Sequence, residues 1–327
     1  MSARPNSRGA SVARANRQGA HVVEMQRRRL VHAVVEVVGE HGLEAATVGR
    51  VCEQAGVSRR TFYELFGDRE ECVLAGFDAE VERLGEHVGS AAAGSGRWRE
   101  RLRSALACLL EELEAQPTVA RFCVIETARA GPRVLERRRR ALDALVVALD
   151  AGRGEARSGS EPPSLTAQGV MAGAVSVIHT RLLEPINDSA PPRLVELTGP
   201  LMAMIVHPYL GAAAARRELE LPAPRASRRS SRGGADPFRG LPIRFTYRTA
   251  LVLGTIADEP GTSNRNVAER AGIVDEGQVS RLLRRLQDCE LIENRGDGHA
   301  RGEPNAWALT QRGAAIHAAI DTKVATG

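Results

Sequence analysis

The segment TVGRVCEQAGVSRRTFYELFGDREEC, from Thr47 to Cys72, constrains the chain more than any other stretch. Thr47 can N-cap a short helix whose apolar face is Val48, Val51 and Cys52, with Ala55 next in line. Gly56 interrupts it, because the corner after such a helix often needs a positive φ that a Cβ disfavours. Val57 plugs the corner, Ser58 caps a second helix over about 59–66, and Phe62 and Phe66 fall on its inner side. Arg59, Arg60, Thr61 and Tyr63 are left outward. Asp68 with Glu71 spells a D-x-x-E capping box for the helix that follows. A short helix, a tight corner and a helix that opens on basic and short polar groups suit insertion into a DNA major groove. The bland alternative for the corner alone is a helical hairpin with surface arginines. An amphipathic helix upstream, with Leu30, Val34, Val37 and His41 on one stripe and Gly42 to end it, tips the reading toward DNA.

These residues resemble the DNA-binding domain of TetR-family regulators, through Ala55-Gly56-Val57-Ser58, Thr61-Phe62-Tyr63 and Phe66. The resemblance implies that Tyr63 and Arg69 hold phosphates while Arg59, Arg60 and Thr61 approach bases or backbone, with Thr47 completing the contact set. Arg69 stands where the family usually has lysine, which keeps the charge and changes the geometry. The resemblance also implies a helical regulatory domain, a small-molecule effector of unknown identity, and a homodimer on a double-stranded DNA operator.

A chain of 327 residues has room for two or three domains. Residues 1–22 are polar and basic, which predicts a disordered arm ahead of a head at 23–68. Helical patterning fills 69–217, in segments near 69–88, 97–115, 118–130, 132–152, 165–184 and 192–217. Val170, Ala174, Val177, Ile178 and Leu182 form one apolar stripe, and Leu194, Leu197, Leu201, Met204 and Ile205 another. A monomer core explains both stripes as well as a partner does. The family resemblance assigns helices 165–184 and 192–217 to the dimer interface. Phe122, Glu126 and His179, with Cys123 nearby, are the candidates for lining the effector pocket. Arg137–Arg140 point in nearly all directions on a helix and read as a solvated face. Residues 218–240 carry the Pro/Gly/Ser/Arg composition of a flexible basic linker.

Residues 241–327 repeat the theme differently. Phe245–Asp258 is an amphipathic helix, Thr262 or Ser263 can cap a short helix bearing Val267 and Ala268, and Gly272 turns the chain. Asp275 and Gln278 form a D-x-x-Q box ahead of a helix with Val279, Leu282, Leu283 and Leu286 inward. Strand-like segments Leu291–Asn294 and Trp307–Leu309 flank a Gly-rich loop, followed by Leu309-Thr310-Gln311-Arg312-Gly313. This resembles a winged helix-turn-helix of the MarR-like class, in which the hairpin is the wing. Cys289-Glu290 replaces a glycine-containing turn common there, and Asp275 and Glu276 put acids at the reading helix's start. As a DNA reader this domain would use Gln278, Ser280, Arg281, Arg284 and Arg285, with Arg295 and Arg301 on the wing. The alternative is a protein-interaction module.

Charge supports the order of these assignments. The excess of basic over acidic residues is +3 in 1–68, zero in 69–217, +2 in 218–240 and zero in 241–327. Lys323 is the only lysine, so arginine abundance alone says little about DNA. The five cysteines show neither a disulfide framework nor zinc-finger spacing, so no metal and no cofactor are expected. A P-loop, a dinucleotide fingerprint and a nucleophile elbow are all missing, which argues against an enzyme. No apolar run is long enough to span a bilayer and the N-terminus carries no signal-peptide core, which predicts a cytoplasmic protein without a membrane partner. The expected fold is mainly α: a TetR-like helical bundle with an N-terminal helix-turn-helix, then a small α+β winged-helix domain.

Overall fold

A computed structural model describes residues 7–94, 96–156, 161–184, 193–222, 247–273, 275–296 and 305–321. Contacts divide the chain into two compact units. One comprises Met1–Leu30, Cys52–Leu65 and Ser230–Gly327, the other Val31–Val51 and Phe66–Arg229.

The second unit holds the end of α1 (Ser7–His41), a 3-10 turn at Leu43–Ala45, and a bundle of α4 (Arg69–Ala92), α5 (Trp98–Ala115), α7 (Pro132–Asp150), α8 (Thr166–Leu183), α9 (Thr198–Leu210) and α10 (Ala212–Glu220). Pro117 and Pro132 open α6 (Pro117–Ala120) and α7, positions where the missing N–H costs nothing. Leu110, Ile178, Leu194, Leu201, Met202 and Val206 lie in its main core. Between α6 and α7 the helix widens into a π-turn at Arg121–Ile125 and then tightens at Glu126–Arg129. Two faces separate there. Ile125 joins the bundle core, while Phe122 packs toward Gly76, whose Cα–H leaves room for Val34, Val35 and the Phe122 ring.

The helix expected over 192–217 is in fact three pieces. A 3-10 turn at Leu194–Leu197 leads into α9, and Gly211, at φ 80°, breaks the chain before α10. A side chain at that φ is strained, so a glycine there permits the sharp return. α10 then folds back along α9, and its buried Glu218 pairs with Arg103 at 2.7 Å and Arg99 at 3.4 Å. Leu194, Leu197, Leu201 and Ile205, the stripe that the resemblance assigned to a partner, therefore sit in the monomer core.

The first unit contains most of α1, α3 (Arg59–Leu65) and the C-terminal elements α11 (Tyr247–Asp258), α12 (Asn264–Arg270), α13 (Glu276–Asp288), β1 (Ile292–Asn294), β2 (Trp307–Leu309) and α14 (Gln311–Asp321). The expectation of a disordered arm gives way to helix from Ser7 onward, in a stretch whose commonest residues, alanine and arginine, are good helix formers. The strands pair antiparallel with Ile292 opposite Leu309 and Asn294 opposite Trp307. Val252, Leu253, Ile256, Val279, Leu283, Leu286 and Ile316 form the core beneath them. The Leu-Thr-x-x-Gly run is explained by geometry. Thr310 donates to Glu290 O at 2.5 Å and accepts from Gly313 N at 3.0 Å, and a Cβ on Gly313 would stand 1.9 Å from Leu291 O.

Candidate nucleic-acid interface

The N-terminal corner is built as its residues dictate. Thr47 Oγ1 accepts from Arg50 N at 3.3 Å and opens α2 (Val48–Ala55). Gly56 takes a positive φ of 62°, and Val57 N closes the turn on Cys52 O at 2.9 Å. Ser58 Oγ caps α3 by accepting from Thr61 N at 3.0 Å and also meets the Thr61 hydroxyl at 2.9 Å. Phe62 and Phe66 are buried. Arg59, Arg60 and Tyr63 are exposed, Tyr63 at 60%.

α3 thus presents two arginines and a phenol on its solvent face. Arg60 leans on Glu64 at 2.9 Å, a highly exposed pair that a phosphate can replace at little cost. Arg59 makes no ion pair among the described residues. Thr61 differs from expectation: it is half-buried and its hydroxyl is engaged in the cap. Arg69 differs as well. It lies in the other unit, where its guanidinium donates to Leu43 O at 3.4 Å and fastens the start of α4 to the Leu43–Ala45 turn. Sequence reasoning passed over Arg50, an exposed arginine on the first turn of α2. Its place one turn after the Thr47 cap was the available signal. The capping box at α4 is shifted by one residue: Asp68 accepts from Glu71 N at 2.7 Å, while Glu71 reaches back to Gly67 N at 2.8 Å.

In the C-terminal elements, Ser263 caps α12 by accepting from Asn266 N, and Gly272 turns the chain at φ 63°. Asp275 caps α13, accepting from Gly277 N at 2.8 Å and Gln278 N at 3.3 Å. Only half of the expected D-x-x-Q box forms, because Gln278 Oε1 accepts from Arg248 instead. Gln278, Ser280, Arg281, Arg284 and Arg285 are all exposed. Arg281 donates to Gly277 O at 3.1 Å and lies 4.0 Å from Asp275, so the acid at the helix start is partly masked by the arginine above it. Arg284 and Arg285 have no ion pair among the described residues. The hairpin base is locked by Asn264, whose Oδ1 accepts from Trp307 Nε1 at 2.6 Å and from Asn305 at 3.1 Å. Arg295 pairs with Glu293 at 2.7 Å, and Arg301 lies outside the described residues.

Residues 30–75 match the family of bacterial regulatory proteins described as the tetR family. The matched residues run from the end of α1 to the start of α4, so the N-terminal helix-turn-helix is similar to that of this family. The HTH-type transcriptional regulator BetI of Brucella anthropi is 28% identical over 97 residues, which is 29% of this chain and 50% of that protein. The HTH-type transcriptional activator FasR of Mycolicibacterium smegmatis is 31% identical over 100 residues, 30% of this chain and 46% of its own length. The chain thus spans about half the length of the curated relatives it matches. One of these relatives is named as a transcriptional regulator and the other as a transcriptional activator. Among solved structures, the fatty acid degradation regulator FadR of Bacillus halodurans is 19% identical with a TM-score of 0.48, covering 55% of this chain and 94% of that one.

In the helical unit, two of the three pocket candidates are buried. The fully buried Phe122 ring lies beside Gly76, and the buried Glu126 carboxylate accepts from Leu43 N at 3.0 Å. Glu126 thus sits at the corner where α1 ends, with its carboxylate also beside Gly42. His179 is half-buried on α8. Cys123 lies near Glu80, Arg83 and Arg138, and burial pushes its thiol up to about 12. Arg83 bridges Glu80 at 2.9 Å and Glu112 at 2.8 Å. Among the described residues no group of three or more metal-ligating side chains is arranged to hold an ion, and no helix is long and apolar enough to cross a membrane.

Proposed function

We propose that the chain is a sequence-specific transcriptional regulator whose TetR-type head reads a double-stranded DNA operator through α3. The observation that carries this is the solvent face of α3, where Arg59, Arg60 and Tyr63 project from a helix fixed by a serine cap and two buried phenylalanines. Thr47 and Arg50 at the start of α2 and Arg69 at the start of α4 add backbone-contact candidates, two of them cationic, and such contacts set register without reading bases. A small-molecule effector taken up by the helical domain would act by binding differently to two states of the chain. Homodimerisation fits the uncharged exposed line Leu165, Ala172, Ser176, Thr180 and Leu183 along α8, because a helix-turn-helix reader needs two half-sites about one DNA turn apart. Repression and activation are both open to such a design.

The elements α11–α14 with their hairpin fit a winged helix-turn-helix of the MarR-like class acting as a second DNA reader. Ser280, Arg281, Arg284 and Arg285 are its groove-facing candidates and Arg295 its wing contact. Footprinting on the native upstream region tests both assignments. Arg60→Ala with Tyr63→Ala is expected to abolish the core footprint, and unchanged protection would refute the N-terminal assignment. A chain ending at residue 222 is expected to give a shorter footprint than the full chain, as is Arg284→Ala with Arg285→Ala. Identical footprints would make the C-terminal elements a protein-binding module instead.

A further inference from the structure

Residues 22–29 of α1 have a burial pattern that the TetR-type head does not need. The family match begins at residue 30, yet helix extends back to Ser7. Within that extension Val22 and Met25 are each only 5% exposed, and Arg29 on the same face is buried. Val23, Glu24, Arg27 and Arg28 are exposed. The spacing i, i+3, i+7 is that of a helix laid against a partner along a single stripe. The partner is also visible. Val22 and Met25 belong to the same apolar cluster as Val252, Leu253, Ile256, Val267, Leu283 and Trp307.

We propose that residues 22–29 of α1 are a docking helix for the C-terminal domain, so that this domain's core is completed by a segment from the opposite end of the chain. Three observations converge on that occupant. The buried stripe lies outside the family's helix-turn-helix, its apolar members join the C-terminal cluster among the described residues, and the arginines at 27 and 28 keep the outer face wet. The residues between α10 and α11 then give the chain length to bring its C-terminal domain back to its own beginning, α10 having taken up the first three positions of the expected 218–240 linker. α1 continues without a break to His41. This assignment is independent of whether α13 reads DNA.

Hydrogen exchange followed by mass spectrometry on the full chain tests it. Val22→Ala with Met25→Ala keeps the helix propensity of α1 and removes the stripe. Amides of α11 and α13 are expected to lose protection by about tenfold or more, because local opening is governed by the buried apolar contacts of each cooperative unit. Val23→Ala, on the exposed side, is expected to change nothing. The proposal is overturned if the double variant leaves α11 and α13 protection at the native level, or if Val23→Ala lowers it equally. Deleting residues 1–26 provides a second reading, with the same loss in α11 and α13 expected and native protection overturning the assignment.

Discussion

Glu290 is the one non-glycine residue with positive φ among the described residues, at 56°, and it ends α13 in a full Schellman turn. Leu291 N donates to Leu286 O at 2.9 Å and Glu290 N to Gln287 O at 2.8 Å, with Leu286 and Leu291 both buried. A left-handed conformation costs an L-residue roughly 1–2 kcal/mol. Glycine removes that strain and gives back about 0.4–1 kcal/mol through its freer unfolded chain. Glu290→Gly should therefore stabilise the C-terminal elements by about 0.5–1 kcal/mol, worth roughly 2–8 °C in melting temperature for a segment the size of residues 241–327. A second effect must be separated, because an acid at a helix C-terminus opposes the helix dipole. Glu290→Ala removes the same charge and keeps the Cβ, so the difference between the two variants isolates the backbone. Differential scanning calorimetry of the full chain should place Glu290→Gly above wild type and above Glu290→Ala. Equal melting of the two variants would refute the strain argument and assign any gain to charge.

Other outcomes follow from buried groups in the helical unit. Glu126→Ala strands the Leu43 N–H and should cost about 1–3 kcal/mol in urea unfolding, with Glu126→Gln recovering much of it as a neutral acceptor. Cys123, raised by burial to about 12, should be almost wholly protonated at pH 8, with about one part in ten thousand as thiolate. Mass spectrometry after iodoacetamide treatment should find it unmodified in the native protein and alkylated after denaturation. Burial pushes the Glu112 carboxyl up, but hydrogen bonds from Arg83 and His87 outweigh it and hold it below the ordinary 4.5. Its contribution is fully present above that ordinary value and is lost as pH falls through the lower folded value. Urea titrations across acid pH should show a shallower loss for Glu112→Gln than for wild type.

Local capping and turn chemistry were readable from sequence because each depends on a few adjacent residues. Ser58, Gly56, Asp68, Gly272 and Asp275 all act where their types place them, and the two strands fall within a residue of expectation. What was not readable depends on partners distant in the chain. Nothing local announces that Gln278 answers Arg248, that Arg69 reaches Leu43 O, or that Glu126 serves a backbone N–H 83 residues away. The apolar stripe of α9 was legible as a stripe, but its cover was not, because the Gly211 turn that brings α10 over it looks like any other glycine in an alanine-rich run. The start of α1 at Ser7 was not legible either, and Val22 and Met25 become a face only against Val252 and its neighbours.

On the proposed reading, the arginines of both reading helices and of the wing raise a quantitative question, because several are already paired. Arg60 holds Glu64, Arg295 holds Glu293, and Arg281 lies near Asp275. Each pair is solvent-exposed, with 89% of the Arg60 side chain accessible, and such pairs contribute about 0–1 kcal/mol. A phosphate contact releases condensed counterions instead, and contributes close to one unit to the slope of log affinity against log salt. The trade favours DNA, and the local acids serve mainly to hold the guanidinium groups ready in the absence of DNA. They also predict direction. Glu64→Gln should tighten operator binding and leave the salt slope nearly unchanged, whereas Arg60→Ala should weaken binding and reduce the slope by about one. A slope unaffected by Arg60→Ala would mean that this arginine never leaves its glutamate for a phosphate.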